Sequence, residues 1–249
     1  MKKLLIVTTA LMAAALFFAG CSNPSGSSAS TDPNNQNNSG TTDQTDSLPG
    51  TWVKNLENFT TGTSGNWTNN GNKVSFKCSD PASLNIPKGY ETTYTRAISQ
   101  TQLYGVRARI KQDAFTKAEP GLILFLKTSE DDSGNTSFDT YYSLTFYKGS
   151  YTLYEKEEGK KAVCLSEATD DEGTWENTWN DAIKQEGNEN EVLLYTDGNK
   201  LVLKINGTLI KTFDKKLDVG PVCTCMYVTG DAEGAINANW EFLEFQTAK

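Results

Sequence analysis

The stretch Tyr141-Tyr142-Ser143-Leu144-Thr145-Phe146-Tyr147, followed by Lys148-Gly149 and then Ser150-Tyr151-Thr152-Leu153-Tyr154, reads as two β-strands joined by a tight turn. If the turn has two residues, Phe146 faces Tyr151 and Leu144 faces Leu153 on one side. Thr145 then faces Thr152 and Ser143 faces Tyr154 on the other. Apolar pairs take one face and polar pairs the other, so this hairpin buries one side and exposes the second.

Working outward, Val192-Leu193-Leu194-Tyr195 turns at Gly198-Asn199 and returns as Leu201-Val202-Leu203-Lys204-Ile205, pairing Leu194 with Leu203 and Val192 with Ile205. Asn206-Gly207 supplies another turn, and Thr208 to Phe213 forms the third strand of a meander. Alternating runs at 74–78, 104–111, 121–127, 161–165, 222–228 and 239–246 predict further strands. One helix is expected, from Gly173 to Glu186, because Trp175, Trp179 and Ile183 recur at helical spacing. Short strands punctuated by regular turns predict an all-β fold: a two-sheet antiparallel jelly-roll sandwich with at most one short helix.

The succession Glu191-Val192-Leu193-Leu194-Tyr195, Asn199 to Ile210 around Ile205-Asn206-Gly207, Val219-Gly220-Pro221-Val222 and Trp240-Glu241-Phe242-Leu243-Glu244-Phe245 resembles the C-terminal half of concanavalin A-like lectin/glucanase domains. Laminin-G-like modules and the 3-keto-disaccharide hydrolase domain share that pattern. Gly121-Leu122-Ile123-Leu124-Phe125 and Tyr141-Tyr142-Ser143-Leu144 also fit it. The resemblance spans about 150 residues and implies a fold more than an activity.

At the other end of the chain, Lys2 and Lys3 precede an apolar run from Leu4 to Ala19 that closes Phe18-Ala19-Gly20-Cys21. A charged start, a stretch too short to span a bilayer and small residues before a cleavage point read as an export signal. With the cysteine in place it resembles a bacterial lipoprotein lipobox, although Phe18 stands where that motif carries Leu, Val or Ile. The resemblance implies a signal peptide over 1–20, acylation (a palmitate-type membrane anchor) at Cys21, and a place in the cell envelope. Ser22 lacks the aspartate that holds some lipoproteins at the inner membrane, which points to the outer one. Residues 21–48 are Ser, Asn, Thr, Gly, Asp and Gln almost throughout, a composition that cannot offset the entropy of ordering, so they form a tether. Its coil dimension is about 25 to 30 Å. The sandwich domain is assigned to 49–249.

The 249 residues carry a net charge of −8, and removal of Lys2 and Lys3 with the signal makes it −10. That balance disfavours nucleic acid as a partner. Histidine is absent, which eliminates Ser-His-Asp and Cys-His catalysis and every His-containing metal site. Besides Cys21 there are Cys78, Cys164, Cys223 and Cys225, able to form disulfides outside the cytoplasm or to serve as buried thiols. Cys223 and Cys225 lie on one strand face, where bonding to each other would distort the backbone.

Glycan-cleaving relatives in the resembled superfamily share a Glu-x-Asp-x-x-Glu strand motif that this chain lacks, and no catalytic residue is assigned. Glu241 and Glu244, three residues apart, fall on opposite strand faces, so they cannot line one cleft together and serve as solvated charge. Glu176 and Asp181 read as surface helix charges. The loop from Ser129 to Asp139 is rich in hard oxygen ligands, and calcium is the cofactor to test there, with Asp131, Asp132, Asn135 and Asp139 as ligands. The plainer reading is a solvated acidic turn. Sugar rings stack on aromatic faces, so Tyr141, Tyr147 and Tyr154 on the polar side of the hairpin, with Trp175 and Trp179, are the candidate ligand-binding residues. The leading expectation is an envelope lipoprotein that presents a glycan-binding or adhesion module. The alternatives are a carboxylate-dependent sugar hydrolase of the 3-keto-disaccharide type and a structural or protein-binding lipoprotein.

Overall fold

The structure is a computed structural model that describes residues 48–54, 66–97, 99, 101–113, 117–133, 136–170, 173–217 and 220–247. The signal, Cys21 and the tether as far as residue 47 lie outside the described residues.

The chain runs through β1 (Thr51–Val53), β2 (Trp67–Asn70), β3 (Lys73–Cys78), a single 3-10 turn at Pro81–Leu84, β4 (Glu91–Ala97), β5 (Gly105–Gln112), β6 (Ala118–Glu130), β7 (Thr136–Tyr147) and β8 (Ser150–Lys156). Four short pieces follow: β9 (Val163–Cys164), β10 (Ala168–Asp170), β11 (Gly173–Trp175) and β12 (Thr178–Trp179). Long strands then resume as β13 (Glu189–Asp197), β14 (Lys200–Ile205), β15 (Thr208–Asp214), β16 (Cys223–Thr229) and β17 (Ile236–Thr247). One sheet has the order β15-β14-β13-β5-β17-β3-β2, with β1 on β17, and the other has the order β12-β8-β7-β6-β16-β4, with β9 on β8. We call them sheets A and B. The connections β3 to β4, β4 to β5, β5 to β6, β15 to β16 and β16 to β17 each cross from one sheet to the other, which makes the sandwich a jelly roll.

Period-two alternation builds the core. On β5, Val106, Ala108 and Ile110 point inward while Arg107, Arg109 and Lys111 point out. Between the sheets lie Phe76, Leu122, Leu144, Leu153, Leu203, Trp240 and Phe242. Trp240, fully buried, donates its indole N–H to the carbonyl of Gly121 at 3.1 Å and so joins the two sheets by a hydrogen bond.

The two hairpins adopt the expected registers. Leu144 pairs with Leu153, Thr145 with Thr152 and Phe146 with Tyr151. Lys148 and Gly149 both have positive φ, 45° and 82°, the turn whose twist matches the strands it joins. Leu194 pairs with Leu203 and Val192 with Ile205, and Asn206 and Gly207 make the second such turn. Asn206 is further fixed because its side-chain amide donates to Ala182 O at 2.6 Å and Asn190 Oδ1 at 2.8 Å.

Two expectations are corrected. There is no helix between Gly173 and Glu186: β11 pairs with β10, and β12 pairs with β8 through Thr178↔Tyr151 and Trp179↔Ser150. Threonine and tryptophan at 174, 175, 178 and 179 favour extended backbone, and the pairing of the first two with β10 and of the last two with β8 outweighs a three-residue helical stripe. Glu241 and Glu244 do not lie on opposite faces, because β17 carries a bulge between Phe242 and Glu244 that resets the alternation. Both point outward on sheet A.

That outer face of sheet A is closed by ion pairs. Arg107 bonds Glu191 at 2.8 Å and Glu244 at 2.7 Å, while Arg109 meets Glu241 and Glu189 at 3.3 Å. The four cysteines of the domain are free thiols: Cys78, Cys223 and Cys225 are buried and Cys164 is half-buried.

Candidate functional site

The outer face of sheet B is built differently. The residues that alternate outward are Thr152 and Tyr154 on β8, Tyr141, Ser143, Thr145 and Tyr147 on β7, Glu119 and Gly121 on β6, Cys225 and Tyr227 on β16, and Glu91 and Thr93 on β4. Register ties them into rows. Thr152, Thr145, Gly121, Cys225 and Thr95 form one row, and Glu119, Tyr227 and Thr93 form part of the next. Together with Glu176, Asn177 and Ala162 from the segment between β8 and β13, most of these residues line a groove of about 520 Å³. That volume lies within the range of small-molecule sites.

Four tyrosines, Tyr141, Tyr147, Tyr154 and Tyr227, give the groove its aromatic surface, and Ser143, Thr145, Thr152 and Thr93 lie among them. Gly121 keeps the floor low. A Cβ there would stand 2.2 Å from the Leu144 carbonyl oxygen and 3.0 Å from Cys225 Sγ. Beneath the aromatic layer Ile123, Cys223 and Cys225 form a small apolar cluster against Phe138 and Tyr141. The two thiols act as compact apolar groups, and burial raises the Cys225 thiol far above its usual range.

One wall is pinned by a buried serine. Ser166 Oγ accepts from Leu153 N at 2.8 Å and donates to the Glu176 carbonyl at 3.3 Å, while Thr178 Oγ1 donates to the Ser166 carbonyl. Thr152 Oγ1 donates to Asn177 Oδ1. These bonds place Glu176 beside Tyr154, whose hydroxyl donates to Glu176 Oε2 at 2.6 Å.

Three carboxylates occupy the groove, each bonded to a hydroxyl. Glu176 has Tyr154; Glu119 accepts from Thr145 Oγ1 at 3.0 Å; Glu91 accepts from the Tyr227 hydroxyl. Burial, followed by the nearby charges of Glu91 and Glu176, pushes the Glu119 carboxyl up from 4.5 to about 7, against the opposing pull of the Thr145 bond. Burial and a carboxylate partner likewise raise the Tyr154 and Tyr227 hydroxyls. The ammonium of Lys117, at the rim, pairs with Asp231.

The expected ligand residues are thus only partly gathered. Tyr141, Tyr147 and Tyr154 converge on one groove. Trp179 does not join them: it is exposed, lies against Gly149, and donates its indole N–H to Asp181 at 2.9 Å. Trp175 lies on β11, with its side chain outside the described residues. Glu176, expected as a surface helix charge, is a groove residue. Of the calcium candidates, Asp131 Oδ1 caps the turn through Ser133 N at 2.9 Å and Asp139 Oδ1 accepts from Ser129 Oγ at 3.0 Å, while Asn135 lies outside the described residues. Asp132 is exposed. No group of three or more His, Cys, Asp or Glu able to hold a metal occurs among the described residues.

Glu91, Glu119 and Tyr227 were not anticipated. Glu119 precedes Pro120, which reads as the limit of a strand; β6 continues through it because residues 118–120 pair only with β16.

No protein-family model matches the sequence, and no curated protein does either. Solved structures with a similar chain path include the carbohydrate binding module CBM66 from Bacillus subtilis, with 10% identity over 78% of this chain and 95% of that one and a TM-score of 0.40. A β-glucanase from Bacillus licheniformis has 10% identity, 80% and 94% coverage and a TM-score of 0.44. The laminarinase catalytic domain from Thermotoga maritima has 6% identity, 75% and 82% coverage and a TM-score of 0.48. Likenesses of this size do not transfer a function.

Proposed function

We propose that this chain is a cell-envelope lipoprotein that presents a glycan-binding groove on the outer face of sheet B. The observation that carries the proposal is the contrast between the two outer faces. Sheet A is closed by paired arginines and glutamates, whereas sheet B keeps an open groove in which four tyrosines are interleaved with hydroxyls, an amide and carboxylates. Aromatic faces stack on the apolar faces of sugar rings, and the polar groups between them bond the ring hydroxyls.

The placement of β1 supports presentation. β1 enters on sheet A, where Thr51 pairs with Thr247, and Gln246 Nε2 donates to the Pro49 carbonyl at 2.9 Å. An acyl anchor at Cys21 followed by the tether would therefore join the domain on the sheet opposite the groove. Glycan-array binding followed by calorimetry on the full chain tests the proposal. The expected result is saturable binding to an oligosaccharide, weakened about 30-fold or more by Tyr147→Ala, the loss typical of an aromatic anchor. Silence across plant, host and bacterial glycans refutes it, and capture of a protein partner without sugar binding supports the protein-binding alternative instead.

One observation favours a second reading, a sugar-active hydrolase that works through carboxylates alone. Glu119 titrates near neutrality beside Glu91 and Glu176, as a general acid does. Turnover of model disaccharides that Glu119→Gln abolishes would establish it; turnover that survives replacement of all three glutamates would exclude it.

A further inference from the structure

We infer that the groove is selective for uncharged, hydroxyl-donating saccharides and excludes uronic-acid and sulfated ones. This rests on the glycan reading and specifies the ligand class of the same site.

The polar inventory of the groove is one-sided. Glu91, Glu119 and Glu176 are its carboxylates, and Lys117 is the basic residue among the described lining residues. The Lys117 ammonium is already matched by Asp231. A bound anion would therefore meet no unmatched cation among these residues and up to three like charges. Such juxtaposition of like charges weakens binding and is expected to cost an anionic ligand about tenfold or more in affinity.

The hydroxyl protons point the same way. Tyr154 gives its proton to Glu176, Thr145 to Glu119 and Tyr227 to Glu91, while Thr152 gives its proton to Asn177. The groove therefore offers mostly acceptors: carboxylates, each of which accepts at up to about four sites over its two oxygens, and the oxygens of the hydroxyls that have already donated. A neutral sugar supplies donors through every hydroxyl. A uronate or sulfate ester replaces donors with acceptors and adds charge. Burial first, and after it the nearby charges of Glu91 and Glu176, raise the Glu119 carboxyl.

The test is calorimetry on the full chain at pH 8, where Glu119 is ionised, with hexasaccharides of matched length: neutral glucans of several linkages, a galacturonate hexamer and a sulfated galactan hexamer. The expected result is that both anionic hexamers bind at least about tenfold more weakly than the best neutral one. The gap should narrow as salt is raised from about 0.01 M to 1 M, because the Debye length falls from about 30 Å to about 3 Å. In the triple variant Glu91→Gln, Glu119→Gln, Glu176→Gln, with folding checked by thermal melting, the ratio of anionic to neutral affinity should rise about tenfold or more. An anionic hexamer that binds the wild type as tightly as the best neutral one, or a gap insensitive to salt, overturns the inference and leaves the glycan reading standing. Binding of no hexamer of either kind overturns both.

Discussion

Replacing Glu119 with Gln should make the protein less sensitive to pH, by an amount that follows from where the carboxylate sits. The carboxyl has an ordinary value of 4.5 and is raised to about 7 in the fold, chiefly because burial disfavours its charge. Near pH 4 both folded and unfolded chains hold the proton, so the group contributes nothing. Between about 4.5 and 7 the unfolded chain has released its proton while the folded chain keeps it, and stability falls as pH rises. Above 7 the loss is complete. At 1.36 kcal/mol per unit the fall is about 3 kcal/mol, a ceiling because Glu119 is half-buried and solvent screens part of the effect. Gln keeps the shape and an acceptor for Thr145 but cannot ionise, so the variant lacks this fall. Urea unfolding of both proteins at pH 4.5 and pH 8 measures the difference, and other titrating groups cancel in the comparison. The variant should be comparable to the wild type at pH 4.5 and more stable at pH 8 by about 1.5 to 3 kcal/mol, on the order of 1 M in the urea midpoint. A gap between the two that stays constant within about 0.5 kcal/mol across this range refutes the placement of Glu119 in a desolvated, negatively charged groove.

Other parts of the structure give further expectations. Tyr142→Phe removes a hydroxyl that donates to the buried Glu155 at 2.8 Å and accepts from Lys216 N at 2.9 Å, and it should destabilise the protein by about 2 to 4 kcal/mol in the same urea assay. Gly121→Ala drives a methyl against the Leu144 carbonyl, so a loss of about 3 kcal/mol or failure to accumulate as folded protein is expected from thermal melting and expression yield. Cys21→Ser should move the protein from the membrane to the soluble fraction of lysed cells, and retention in the membrane would remove the lipid anchor from the account.

Local chemistry made much of the fold legible. The turn at Lys148-Gly149 sets the register of β7 and β8, and that register alone puts Tyr141, Tyr147 and Tyr154 on one face with Ser143, Thr145 and Thr152. Where legibility failed, the cause was a non-local pairing or a change of phase. Trp175, Trp179 and Ile183 share a helical period by coincidence, because β8 offers an edge that Thr178 and Trp179 can join. The bulge near Leu243 shifts Glu244 by one residue and brings it onto Arg107, a pairing that only the neighbouring strand reveals. Glu91 and Tyr227 come from strands 136 positions apart, and their meeting in the groove follows from β4 and β16 being neighbours. Simple alternation along one strand carries no information about which distant strand lies beside it.

Chemical-shift mapping of the full chain, isotopically labelled and titrated with the oligosaccharide that binds best on an array, tests the central claim most directly. The account predicts that perturbed amides cluster on Tyr141 to Tyr147, Tyr154, Glu119, Tyr227 and Glu176, and leave Arg107, Arg109, Glu191 and Glu241 on sheet A unmoved. Shifts concentrated on the sheet A face, or on the exposed Trp179 edge with the groove silent, would contradict it.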